Sequence, residues 1–349
     1  MKFDKNFIII FIVLLFISLY NNKLYTQPQD YETNTITGKT FVFSIPPLLT
    51  NVDNKAEVVI TMFSQLESKV KITARYGFLK ILDLKPFEKG TVVMPAYTAF
   101  PYQKSGKDKP IKEAIYDAAI RIEATEPIQV TASVKNECGG EGFAVLPIEN
   151  LGAKYLISSF NDASHFYNDM VSLPSIVTIT ANYNNTHISF KLGGNNDTKT
   201  AGGLSSKEEM SVVLSQGEVW VISSMGENAD LTGSKIEASK PISVVTANQC
   251  ANVPINNKPC NYIAEMEIPL NTFGKTFLVP AFPDRKYSPV LRILAAEENT
   301  TIKVIGENKN YTIETSGGIV NSGYLEMRIN EPNLSKPGII IADKPISIT

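Results

Sequence analysis

This chain repeats itself, and the repeat limits its possible folds more than any other feature. The tetrapeptide Gly38-Lys39-Thr40-Phe41 returns as Gly274-Lys275-Thr276-Phe277, with the variant Gly152-Ala153-Lys154-Tyr155 between them, at spacings of 114 and 122 residues. A second signature runs Ile122-Glu123-Ala124-Thr125-Glu126-Pro127-Ile128, then Ile236-Glu237-Ala238-Ser239-Lys240-Pro241-Ile242, then Ile341-Ala342-Asp343-Lys344-Pro345-Ile346. A third pairs Asn184-Asn185-Thr186-His187-Ile188 with Glu298-Asn299-Thr300-Thr301-Ile302, again 114 apart. Interleaved motifs at similar spacings mark a repeat architecture, in which each unit buries a face against its neighbour.

The second and third signatures also resemble each other. Their alanines, Ala124, Ala181, Ala238 and Ala295, follow at intervals of 57 residues, with Met62 before them and Ala342 after at less regular spacing. Within a unit the residues alternate with period two, as in 242–246 and 187–190, which is the pattern of half-buried strands joined by polar turns. Prolines fall at turns or strand starts, where a missing donor is tolerated. Only 112–119 has a helical spacing. The class expected is therefore all-β, built from repeated antiparallel sheets. Four strands per short period predict a β-propeller-like arrangement. The alternative takes the long period as the unit and gives tandem β-sandwich modules. The expected boundaries are a repeat domain over 38–349, with modules at 38–151, 152–273 and 274–349, after a linker at 27–37.

Lys2 and Lys5 precede an apolar run over 7–19, and a polar stretch leads on to Pro28. That order predicts a secretory signal peptide over 1–26, since the run is shorter than the roughly 20 residues that span a bilayer as a helix. The net charge of -2 gives no electrostatic basis for gripping nucleic acid.

In an oxidising compartment, Cys250 and Cys260 are the natural disulfide among three cysteines, closing a short loop, and Cys138 is left over. The two histidines, His165 and His187, stand in no metal-ligand spacing, and no nucleophile elbow, phosphate loop or dinucleotide fingerprint appears. The glycine-flanked stretch around Asn195, Asn196 and Asp197 reads as a surface loop and lacks the ligand order of a calcium loop. No cofactor and no metal are expected.

The run from Asp230 to Ile242, with Asp230-Leu231-Thr232-Gly233-Ser234 at its head, continues into Asn248-Gln249-Cys250-Ala251-Asn252-Val253-Pro254. With Cys260 and Phe273-Gly274-Lys275, it resembles the N-terminal domain of the IgGFc-binding protein family. The resemblance covers most of the chain from about Gly38 onward. It implies an extracellular binding or adhesion role and supports the Cys250–Cys260 pairing; with no catalytic constellation in the sequence, no enzyme is expected. No residue set for immunoglobulin binding is legible. The asparagine-, lysine- and isoleucine-rich composition points to a bacterial source.

The function expected is a secreted or cell-surface binding module that recognises an extracellular protein or glycan through its loops. The candidate loops are the Cys250–Cys260 loop, with Asn248, Asn252, Val253 and Pro254, and its counterpart with Asn136, Gly139 and Glu141. Both follow the same strand of matching units and would share one rim. One alternative is a matrix or spacer component. Another is a polysaccharide-acting hydrolase, which needs two convergent carboxylates in a concave site.

Overall fold

The computed structural model describes residues 36–48, 56–103, 109–136, 139–164, 172–194, 198–226, 228–254, 260–280, 290–305, 310–314, 324–327 and 338–349. Residues 1–26, where a signal peptide is expected, and Cys138, His165 and residues 195–197 lie outside them. The described chain is all-β and antiparallel, and its strands gather in three successive groups. The first comprises β1 (Thr37–Phe43), β2 (Glu57–Phe63), β3 (Ser68–Ala74), β4 (Phe78–Leu84), β5 (Lys89–Pro95), β6 (Ala114–Asp117), β7 (Ile120–Asn136) and β8 (Gly139–Val145). The second comprises β9 (Lys154–Leu156), β10 (Ser175–Ala181), β11 (Thr186–Lys191), β12 (Lys199–Thr200), β13 (Glu209–Leu214), β14 (Glu218–Met225), β15 (Lys235–Ala238), β16 (Ile242–Ala251) and β17 (Asn261–Met266). The third comprises β18 (Gly274–Val279), β19 (Leu291–Ala295), β20 (Thr300–Val304), β21 (Asn310–Ile313), β22 (Tyr324–Met327) and β23 (Gly338–Ile348).

The second group shows the plan most clearly. One sheet runs β12-β14-β10-β16-β17 and the other β13-β11-β15-β9. Their inner faces close on one core that includes Tyr155, Val177, Ile179, Phe190, Trp220, Ile222, Ile236 and Val244. The chain changes sheet at each step from β9 to β16, and the two arms β10–β11 and β15–β16 pair with each other along both layers. Ala181 faces Ile242 at one corner and Ala238 faces Ile188 at the other. The 57-residue interval is thus the step between the two arms of one sandwich. A propeller blade would keep consecutive strands in one sheet. Here successive strands change sheets, so this group follows the sandwich alternative and not the propeller-like arrangement.

The repeated prolines explain the crossing. Pro241 has no N–H to give a ladder, so the strand breaks there and bends to the other layer. In the first and third groups the strand runs on through Pro127 and Pro345 as the long β7 and β23. Each pairs with both layers, folding its sheet into a nearly closed barrel. The third signature also has a local cause. Asn185 and Asn299 take the left-handed backbone, with φ of 54° and 53°, which asparagine tolerates better than most residues. The following Thr186 and Thr300 hydroxyls each donate back to a carbonyl, of Tyr183 and Glu297, at 2.7 Å. The helical spacing at 112–119 misleads. Residues 114–117 form β6, extended along β14 with Ile115 opposite Trp220, so the first group lends a strand to the second group's sheet.

Successive groups dock by a repeated contact. Tyr262 and Met266 of β17, with Val245 and Ala247 of β16, are part of the first group's core. The Ser243 hydroxyl donates to the Val42 carbonyl, Tyr262 to Pro46 at 2.7 Å, and the Gln249 amide to Pro47 at 3.1 Å. Gly38 and Gly152 are pressed against the 3-10 turns that lead into the next group. A Cβ would fall 2.2 Å from Pro147 Cβ at the first and 2.5 Å from Pro269 Cβ at the second.

Candidate binding rim

Strands β16 and β17 are joined through the loop that Cys250 and Cys260 close with a disulfide. A register shift between Asn248 and Ala251 bulges β16 outward just before the loop. Asn248 is fully buried. Its amide donates to the Phe160 and Asn161 carbonyls at 3.0 and 2.8 Å, while its Oδ1 accepts from the Cys250 N–H at 2.9 Å. It therefore shapes the base of the loop and cannot itself meet a partner. Asn252 is also buried, and neither of its amide atoms has a hydrogen-bond partner. Val253 is exposed and Pro254 half-buried, so the solvent-facing part of the described loop is apolar.

The counterpart is the β7–β8 hairpin, where Asn136 pairs with Gly139 at its end and Glu141 with Val134. The structure brings β8 beside β17, so Glu141 and Val253 line one cavity of about 280 Å³. Ser158, Ser159, Phe160, Thr246, Ala247, Ile263, Ala264, Glu265, Val290, Arg292 and Thr349 complete its wall. All three strand groups contribute to the wall, which is mainly hydrocarbon with two carboxyl groups. Solvent reaches Glu265 through the mouth, but the concave wall surrounds it. That desolvation, only partly offset by its hydrogen bond from the Met266 N–H, raises its pKa to about 7, and Glu141 adds to the rise.

Behind the wall lies a polar cluster that no sequence motif announced. Glu267 is buried and accepts from the Ser158 N–H at 2.7 Å and the Thr246 hydroxyl at 3.0 Å. Burial pushes its pKa up to about 8, against the lowering effect of those two bonds. Arg292 of β19 reaches into the second group and donates to Asp230 Oδ2 and the Ser159 carbonyl, both at 2.6 Å, and to Asn161 Oδ1 at 2.8 Å. Its Nε donates to Glu326 at 3.0 Å, and its guanidinium lies 4.2 Å from the centre of the Phe160 ring. Asp230 also accepts from the Thr232 N–H and hydroxyl through Oδ1, at 2.9 and 2.6 Å. The Asp230-Leu231-Thr232-Gly233-Ser234 string is therefore a socket for the next group's arginine. Asp230 could have been suspected from that string. Arg292 could not, because the matching position in the second group is Thr178.

Among the described residues, no three His, Cys, Asp or Glu side chains gather as a metal site. No helix among them is long and apolar enough to cross a membrane. His187 lies on the outer face of β11 and is exposed.

Compared with known proteins, residues 141–349 match the family described as IgGFc binding protein. A human protein of that name, IgGFc-binding protein, is 25% identical over 76 residues, which make up 22% of this chain and 1% of the human protein. No solved structure matches.

Proposed function

The chain belongs to the IgGFc-binding protein family, and from that premise we propose that it is a secreted, non-enzymatic module that binds an extracellular protein at the rim cavity. The observation that carries this reading is the convergence of Glu141 and Val253, from two matching loops, on one cavity with mainly apolar walls. Such a cavity suits a protruding partner side chain with an apolar stem, and Glu141 and Glu265 favour a basic tip. The disulfide fits an oxidising compartment outside the cell. The relative's name makes the Fc part of immunoglobulin G the first protein to try.

The test is a binding screen of the secreted chain against immobilised Fc and a panel of extracellular proteins and glycans, repeated with Val253→Asp and Glu265→Ala. Both positions are solvent-facing, so the fold should survive. A protein ligand that loses at least tenfold in affinity with both variants supports the reading. Ligands bound equally well by wild type and both variants would exclude the rim as the site.

A second reading rests on the same two carboxyl groups. Glu265 holds its proton near neutral pH beside Glu141, which resembles the acid and base of a glycoside hydrolase. Against it, each carboxylate already accepts from a backbone N–H of its own strand, Gly142 at 2.9 Å and Met266 at 3.3 Å, a hairpin-shaping role. Release of reducing sugar from polysaccharide by the wild type, abolished in Glu265→Gln, would reverse this preference.

A further inference from the structure

The repeat allows one position to be compared across all three groups. Val42, Leu156 and Leu278 occupy the same place in the first strand of each group, directly after Phe41, Tyr155 and Phe277. Val42 is 2% exposed and Leu156 3%, whereas Leu278 is 70% exposed. Val42 is covered because β10 and β16 of the next group dock beside it, as the Ser243 hydrogen bond to its carbonyl records.

The neighbouring strand points the same way. Val42 and Thr40 face Arg121 and Glu123, and Leu156 and Lys154 face Lys235 and Glu237, charged residues suited to solvent. In the third group Leu278 and Thr276 face Ile339 and Ile341, both more than a third exposed, and Ile305 beside Ile339 is exposed as well. An exposed stripe of one leucine and three isoleucines is an interaction surface.

We propose that this face docks a second copy of the chain, head to tail, by the step that already joins the first two groups. The complementary face exists on the first group. Counted from Ile128 and Ile242, which follow the repeated prolines, Thr131 and Ser133 match Val245 and Ala247, and their partners Thr61 and Val59 match Thr178 and Ile176. In the second group that outward face is buried; in the first, Thr131 is exposed and Val59, Thr61 and Ser133 are half-exposed. The positions named carry no charge; beside them stand Lys303, opposite Ile341, on one face and the Glu57–Lys135 ion pair on the other. Because the two faces differ, the contact is heterologous and extends beyond a dimer unless an end is blocked.

The test is sedimentation velocity of the secreted chain over a concentration series, with Leu278→Asp to block one face and Thr131→Arg the other. Leu278→Ser is a milder second block, and circular dichroism checks each fold. The wild type should grow in mass with concentration, while each blocked variant stays monomeric. An equimolar mixture of Leu278→Asp and Thr131→Arg, each with one intact face, should give a one-to-one dimer and nothing longer. A wild type that remains monomeric throughout would overturn the proposal and leave the face to a different occupant. Assembly that persists in both leucine variants would overturn it too.

Discussion

Arg292 and Asp230 form a buried ion pair, Nη1 to Oδ2 at 2.6 Å, that fastens the third strand group to the second. Removing Arg292 leaves the Asp230 carboxylate, 2% exposed, without its counter-ion. Arg292→Met should therefore cost about 3–5 kcal/mol in urea denaturation. Adding Asp230→Asn keeps the acceptor for Thr232 and removes the orphan charge, so the double variant should regain most of that loss. A strictly additive pair would show that the two side chains do not depend on each other.

Gly152 is held against Pro269. Alanine there would place a Cβ 2.5 Å from Pro269 Cβ, a distance that forces the 3-10 turn away from the sheet. The expected cost of Gly152→Ala is about 1–3 kcal/mol, read as a lowered midpoint in thermal or urea unfolding. An unchanged midpoint would mean that the turn moves freely.

The pH dependence follows from Glu267. Folded, it keeps its proton up to about pH 8, whereas an ordinary glutamate gives it up near 4.5. Across that window the folded state binds the extra proton, so this residue's contribution is full below pH 4.5 and is lost as the pH rises to 8. Glu265 adds a loss of the same sign, ending near pH 7. Glu267→Gln keeps an acceptor for Ser158 and has nothing to ionise. Its melting temperature should fall less than that of the wild type between pH 5 and 8, and parallel curves would refute this.

The Cys250–Cys260 bridge closes a loop with a sequence separation of 10. By chain entropy, its loss in Cys250→Ser/Cys260→Ser should cost on the order of 2–3 kcal/mol. The rim should also loosen, because Asn248 ties the base of this loop to the Phe160 segment. Protease sensitivity between β16 and β17, compared with wild type, measures that loosening.

Much of the fold was legible because its signatures mark backbone events. Asn185 and Asn299 mark a left-handed turn, Pro127, Pro241 and Pro345 a strand changing layers, and Gly38 and Gly152 a close approach. The short period misled because two arms of one sandwich carry the same residues as two successive units would, and only strand pairing tells them apart. The 112–119 stretch failed for a similar reason: its partner, β14, is about a hundred residues away in sequence, and no local pattern reveals it. At the rim, Cys250, Cys260, Val253 and Glu141 were visible from the matching loops. Glu265, Glu267 and Arg292 were not, since an isolated charged residue in an alternating strand looks like any solvent-facing one until burial and partners are known.

The hydrogen bonds that join the second group to the first end on the backbone oxygens of Val42, Pro46 and Pro47, whereas at the next junction Arg292 also needs the Asp230 and Asn161 side chains. A backbone acceptor is supplied by any residue, so only the donor has to reach it, and a serine, tyrosine or glutamine serves. Units joined this way can drift far apart in sequence without matched changes on the receiving side. The pitch of such an array is inherited from strand geometry, which leaves the outer loops free to diversify.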